Sequence, residues 1–261
     1  MHILGIILAR AGSMGLPGKH LLPLLDRPVI EYTFDAALQS RRLSHCVLTT
    51  DCPRLRAVAV GRGIPAIDRP PELATADASV QATCIHALFA AERMPQFPKR
   101  FDAVCVLYGN VPVRPVDVID RALDCLIDTG ADSVRSLTPV GKWHPAWMHR
   151  LAGNTMRPLQ PNSIHRRQDL EPIYLHDGAA IAVTRASLLR GIDHPDDPHA
   201  FFGVDRRGVV SEMDQTVEID HRRDLYWAEA VLRDRLATRS PSESTEMAPS
   251  PAAGRQQRAV S

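Results

Sequence analysis

Arg10 and Lys19 flank three glycines, Gly12, Gly15 and Gly18, within ILARAGSMGLPGKHLL (residues 7–22). Glycines let backbone N–H groups come close to an anion, and the two cations add charge beside them, so this composition suits a phosphate-holding loop. It follows neither common phosphate pattern. A P-loop needs two glycines separated by four residues and then Lys-Ser or Lys-Thr, whereas Lys19 is followed by His20. The dinucleotide fingerprint needs G-x-G-x-x-G, whereas these glycines stand three apart. Pro17, Pro23 and Pro28 punctuate the chain, and the next helical pattern begins only near Pro28. The loop therefore reads as a long wrap around a ligand, for which a triphosphate is suitable; the plainer alternative is a turn whose charges are merely solvated.

A second constellation lies far along the chain. Glu218 and Asp220 stand two apart in QTVEIDH (215–221), which reads as a strand, so both side chains leave one face while Ile219 leaves the other. Two such carboxylates can hold Mg²⁺, which takes one or two carboxylates plus phosphate oxygens and water. The alternative is that Asp220 caps the final helix and Glu218 is solvated.

The elements that must position these groups alternate. Apolar runs at 3–9, 45–50, 103–108 and 132–139 have the length of strands, and 178–184 reads as another. Between them, segments 28–40, 53–62, 79–93 and 115–129 carry apolar residues at helical spacing, as Ile30, Phe34, Ala37 and Leu38 do. This predicts an α/β fold with a parallel sheet covered by helices on both faces, and the opening loop leaves the first strand at its carboxyl end, where open sheets bind ligands. From Pro139 to Pro172 the rhythm breaks into prolines, Trp143, Trp147 and many Arg and His, which predicts an excursion of strands and loops. RASLLR predicts a short helix and RRDLYWAEAVLRDRLA a final one. The stretch 238–261, rich in Ser, Pro and Ala, predicts a disordered tail.

Composition narrows the classes. The 261 residues fit one large domain or one domain plus a small appendage, and 31 Lys and Arg against 30 Asp and Glu leave a net charge of +1, so no global field draws the chain to nucleic acid or an anionic membrane. The five cysteines show no metal-ligand spacing and read as reduced thiols. The first apolar run breaks at Arg10, too short for a membrane span, and the cytoplasm is the expected location.

LARAGSMGLPGKH resembles the A-R-x-x-S-x-G-[IL]-P-x-K-N signature of the acylneuraminate cytidylyltransferases, which make CMP-sialic acid and related CMP-nonulosonates. Further segments agree in order: RPPELATADAS (69–79), LYGNVPVRP (107–115), RRQDLEPIYLHDGAAIAV (166–183) and VEIDHRRDL (217–225). The resemblance runs from residue 3 to about 236 and implies a Rossmann-like, three-layer cytidylyltransferase domain over 1–237, with 139–175 inserted as an arm of a homodimer. It implies CTP and a nonulosonic acid as substrates and Mg²⁺ or Mn²⁺ on Glu218 and Asp220. Arg10, Lys19 and Asp220 would be catalytic. Ala9, Arg10, Gly12, Ser13, Gly15, Lys19, Arg69, Ser79, Tyr108 and Asn110 would hold the nucleotide, and Lys142, His144, Arg167 and Asp177 the sugar.

The chain departs from the family pattern at Glu218, where the family often has Asp, and at two further places. Tyr108 stands where the family has a Gln near the cytosine, with Gly109-Asn110-Val111 in place of Pro-Thr-Ser, and Asp177 replaces an Asn before Gly-Ala. A related nucleotidyltransferase acting on 3-deoxy-manno-octulosonate, or a nucleotide-binding protein without turnover, is the rival expectation.

Overall fold

The computed structural model describes residues 1–12 and 15–239. The chain runs through β1 (Ile3–Leu8), a tight ribbon of β2 (Pro23–Leu24) and β3 (Arg27–Pro28), α1 (Val29–Gln39), β4 (His45–Thr50), α2 (Pro53–Gly61), β5 (Ala66–Asp68), α3 (Val80–Glu92), β6 (Ala103–Tyr108) and α4 (Val118–Thr129). It continues through β7 (Ser133–Pro139), β8 (His149–Ala152), β9 (Thr155–Pro158), β10 (Tyr174–Thr184), α5 (Arg185–Asp193), β11 (Arg206–Val210) and α6 (Arg222–Arg239).

Seven strands form one sheet in the order β11-β7-β10-β6-β1-β4-β5. All of β1 is buried, as an apolar run covered on both faces must be. Ile3 and Ile7 pack with Ile30 and Phe34 of α1, Leu55 of α2 and Leu123 of α4, whereas Leu4, Ile6 and Leu8 pack with Leu88 of α3 and Leu188 of α5. These are the three layers that the alternating pattern predicts. A smaller apolar cluster joins Ala228 of α6 to Leu24, Val29, Val113, Val217 and Ile219, which ties the last helix to the loops at one end of the sheet.

The sheet is parallel except at β10, which runs antiparallel to both β6 and β7. The excursion explains this. Pro139 pairs with Tyr174, and Val140 N–H donates to the Ile173 carbonyl at 3.2 Å, so residues 140–173 form one elongated connection between adjacent strands, with β8 and β9 as a separate exposed ribbon. The β7–β10 ladder slips between His176 and Ile181, where Gly178 takes φ +72°, a conformation that favours glycine.

Three expectations are corrected. Segment 215–221 joins no sheet: Val217 makes one isolated bridge to Val113, and Ile219 N–H donates to the Asn110 carbonyl at 2.7 Å. Its partner is the irregular turn after β6, which hangs Glu218 and Asp220 at the sheet's carboxyl end. Strands β5 and β11 add to the predicted set; β5 has three residues, and the edge strand β11 carries two arginines and is mostly exposed, so neither has a strong apolar pattern. The final helix continues through Thr238 and Arg239, and the remainder of the expected tail lies outside the described residues. No helix among the described residues is long and apolar enough to cross a membrane.

Arg114 fixes the turn that follows β6. It is buried, and its guanidinium donates to the carbonyls of Tyr108 at 2.7 Å and Ala179 at 2.8 Å, to Thr33 Oγ1 at 2.8 Å, and to the Val111 carbonyl. Burial pulls its pKa down to about 10, which still leaves it charged at neutral pH. Arg114→Met would strand several buried acceptors at once, so we expect a loss of about 3 kcal/mol or more in urea unfolding; a loss below about 1 kcal/mol would refute this role.

Candidate active site

At the carboxyl ends of β1 and β6 lies a cleft of about 220 Å³, closed by the opening loop on one side and by the segment after β5 on the other. Eight residues anticipated from the sequence line it: Ala9, Arg10, Gly12, Lys19, Arg69, Tyr108, Asn110 and Glu218. They come from four separated stretches of chain: those after β1, β5 and β6, which lie parallel in the sheet, and the segment at 218 held by the turn after β6. Ser13 lies outside the described residues. Gly15 does not line the cleft, but its backbone is pressed on the segment behind it: a Cβ there would stand 2.6 Å from the Asp220 carbonyl oxygen. Any side chain at position 15 would push the loop away from the carboxylates.

Asn110 organises the acidic side. Its buried amide nitrogen donates to Glu218 Oε1 at 3.1 Å, to the Ile219 carbonyl at 3.1 Å and to Asp220 Oδ1 at 3.3 Å. The two carboxylates therefore converge on one donor, as alternation about the buried Ile219 predicts. Lys19 Nζ closes the group with a 2.7 Å ion pair to Asp220 Oδ1. Burial, and then the neighbouring Asp220 charge, raise the Glu218 pKa, while Asn110 and Lys19 oppose the shift. Asp224 caps the start of α6 in place of Asp220, accepting from the N–H groups of Asp220 at 3.0 Å and His221 at 2.7 Å. Asp220 is thus freed from the capping role.

The opposite side is cationic. Arg69 is buried and donates to the Thr49 carbonyl at 2.8 Å, and Arg10 reaches the Ala74 carbonyl at 3.4 Å, which draws the segment after β5 toward the loop. His20 lies between these groups. Burial, followed by the Lys19 and Arg69 charges, pushes its pKa down to about 3, so it is neutral at physiological pH and adds no positive charge. Tyr108 completes the wall, its phenol raised to about 12 by burial.

Other predicted residues lie elsewhere. Ser79 caps α3, accepting from Ala82 N–H at 3.1 Å, and its neighbours Ala78 and Val80 line the cleft instead. Lys142, His144 and Arg167 belong to the base of the excursion, where His144 and Arg167 border a different hollow. His144 has both ring nitrogens engaged, Nδ1 by Ala146 N–H and Nε2 with the Glu171 carbonyl, each at 3.1 Å. Asp177 accepts from Thr216 Oγ1 at 2.9 Å, from Ala179 N–H at 3.0 Å and from Ser136 Oγ, so it shapes the strand slip beside Gly178. Within one chain, these four residues do not join the cleft. Sequence reasoning in turn passed over His20, Arg114 and Asn110's hold on the acidic pair. The adjacency of His20 to Lys19 was the available signal; the other two depend on distant partners.

Residues 4–195 match the model of a family described as cytidylyltransferase. The chain belongs to the cytidylyltransferase family. A CMP-N,N'-diacetyllegionaminic acid synthase of Legionella pneumophila is 31% identical over 232 residues, covering 87% of this chain and 94% of the relative. A pseudaminic acid cytidylyltransferase of Campylobacter jejuni is 26% identical, with 87% and 97% covered. An N-acylneuraminate cytidylyltransferase of Streptococcus agalactiae is 31% identical over 189 residues, or 71% of this chain but 44% of that longer protein. Among solved structures, a CMP:2-keto-3-deoxy-manno-octonic acid synthetase complexed with CTP superposes with a TM-score of 0.69 at 18% identity, covering 90% of this chain and all of that one. The last likeness is one of fold, and it agrees with the mixed α/β sheet described above.

The raised Glu218 pKa has a consequence for stability. A carboxyl whose folded pKa lies above its unfolded one binds protons more readily when folded, so stability falls as pH rises from the ordinary carboxylate range through the raised value. Glu218→Gln keeps an acceptor for Asn110 and removes the repulsion. We expect its melting temperature to exceed that of the unaltered chain, with a gap that is wider at pH 8 than at pH 4; a lower melting temperature at pH 8 would contradict this account.

Proposed function

We propose that this cytidylyltransferase activates a nonulosonic acid, a nine-carbon 2-keto-3-deoxy sugar acid, with CTP. The observation that carries the reading is the meeting of the Arg10–Lys19 loop with the Glu218–Asp220 pair across one cleft, in a chain whose full-length relatives are named for CMP-nonulosonate synthesis. The anomeric hydroxyl of the acid attacks the α-phosphorus of CTP. A sugar O–P bond forms, the bridge to the β-phosphate breaks, and CMP-sugar and pyrophosphate leave. This chemistry needs positioning and charge stabilisation more than a covalent nucleophile.

Arg10, Lys19 and the loop amides neutralise the triphosphate. Arg69 and Tyr108 bound the nucleotide, with Tyr108 in the place of the family's Gln. Neutral His20 packs beside Lys19 without competing for the anion. Glu218 and Asp220 would hold Mg²⁺ or Mn²⁺: their oxygens converge on Asn110, and a cation relieves the repulsion that raises Glu218. Mg²⁺ takes one or two carboxylates and completes its shell with phosphate oxygens and water. When bound, the ion polarises the phosphoryl oxygens.

The legionaminate and pseudaminate relatives widen the choice of acid beyond N-acetylneuraminate. We read the excursion at 139–175 as the arm of a homodimer, because Trp143, Leu151 and Met156 are each more than 60% exposed there. In a dimer, Lys142 and Arg167 could reach the sugar of the facing subunit. Sedimentation at dimer mass is expected, with a shift toward monomer on Leu151→Asp; monomer mass for the unaltered chain would exclude the arm.

Pyrophosphate release with CTP, Mg²⁺ and a panel of N-acetylneuraminate, legionaminate, pseudaminate and 3-deoxy-manno-octulosonate tests the activity. Turnover is expected with at least one nine-carbon acid and none after chelation of the metal. Lys19→Ala should lower kcat by about a hundredfold or more while the chain still folds and melts cooperatively. If no acid reacts although CTP binds, the chain is a nucleotide-binding relative without turnover.

A further inference from the structure

Beyond Tyr108, on the sheet face that carries α3 and α5, there is a basic cluster on an aromatic ring that none of the motifs above accounts for. Arg135 of β7 pairs with Ile181 of β10, and Ile181 pairs with Val106 of β6, so these three stand in one row across the sheet. The next positions toward the carboxyl end are Leu137, which pairs with His176, and Tyr108 on the cleft wall. The Arg135 guanidinium lies over the ring of buried Phe202, 4.5 Å from its centroid. The Arg206 guanidinium is 5.8 Å from the same centroid, and His199 stacks on that ring at 5.9 Å.

Arg206 is engaged, donating to the Gly203 carbonyl at 2.8 Å. Arg135 is not: among the described residues no carbonyl, hydroxyl or carboxylate pairs with its guanidinium. A half-buried arginine beside a second arginine loses hydration and gains repulsion. Both effects pull its pKa below the ordinary value, burial first and Arg206 next. Such a group is stabilised by an incoming anion, and guanidinium on an aromatic face is preorganised for a planar, two-oxygen one. The triphosphate already has Arg10, Lys19 and Arg69 on the other wall of the cleft.

We propose that Arg135, seated on Phe202 beside Tyr108, receives the carboxylate of the acceptor sugar acid and so orients the acid toward the nucleotide. This rests on the cytidylyl transfer proposed above, which supplies the acid. The carboxylate lies one bond from the anomeric carbon in a 2-keto acid, so anchoring it fixes the attacking hydroxyl closely. His176 is within electrostatic reach of Arg135 and of Asp177.

Steady-state pyrophosphate release by the full chain, with whichever acid of the panel reacts best, tests the assignment. In Arg135→Gln the KM for the acid should rise about tenfold or more while the KM for CTP stays within about twofold, because one charge-assisted contact is lost. Arg135→Lys, which keeps the charge without the planar fork, should fall between and should be used alone if the Gln variant does not give a native melt. An unchanged KM for the acid would overturn the proposal. An equal rise in the KM for CTP would also overturn it by assigning Arg135 to the triphosphate. Absence of turnover by the unaltered chain with every acid would instead remove the activity itself, and this assignment with it.

Discussion

Repulsion between Glu218 and Asp220 is the constraint around which the cleft is arranged. Two carboxylates that converge on one amide nitrogen are stable only if nearby groups offset their charge. Asn110 supplies a donor to each, and Lys19 supplies a full positive charge from the other end of the sequence. Asn110 is itself held by the turn that Arg114 braces, and Lys19 by a loop that can approach because position 15 has no side chain. The pair thus links β1, the β6 turn and the entry to α6. Lys19 is held in the cleft by this acidic partner.

The layers of the fold were legible in the sequence because they follow from period. The apolar runs of β1, β4, β6 and β7 lie where the pattern placed them, and the helical stripe of Ile30, Phe34 and Ala37 faces the core. What escaped were elements whose reasons lie elsewhere in the chain. An edge strand such as β11, with arginines at both of its first positions, has no apolar stripe to announce it. The direction of β10 depends on where the excursion returns, a matter of topology that local composition does not encode. Segment 215–221 alternates as a strand does, yet it pairs with an irregular turn and not with the sheet.

The site was legible to the extent that its residues bear charge at telling intervals. Arg10, Lys19, Glu218 and the arginine at 69 reach one cleft, and the resemblance gave the order in which to look. Roles were harder to read than places. Asn110, expected at the nucleotide, lines the cleft and donates to both carboxylates; Ser79 caps a helix; His144 engages both ring nitrogens with nearby backbone. In each case a polar side chain near a ligand motif satisfies the fold first, since an unpaired buried polar group costs more than a distant ligand returns.

The excursion between β7 and β10 leaves and re-enters the sheet at neighbouring positions joined by a hydrogen bond, Val140 to Ile173. A segment anchored in this way resembles a cassette. Its length can change at small entropic cost, because closing a longer loop between fixed ends adds only about 0.6 kcal/mol per doubling. Neither the register of the core strands nor the position of the carboxylate pair depends on what the cassette contains. That stretch can therefore change in length while the sheet that frames the cleft stays as it is.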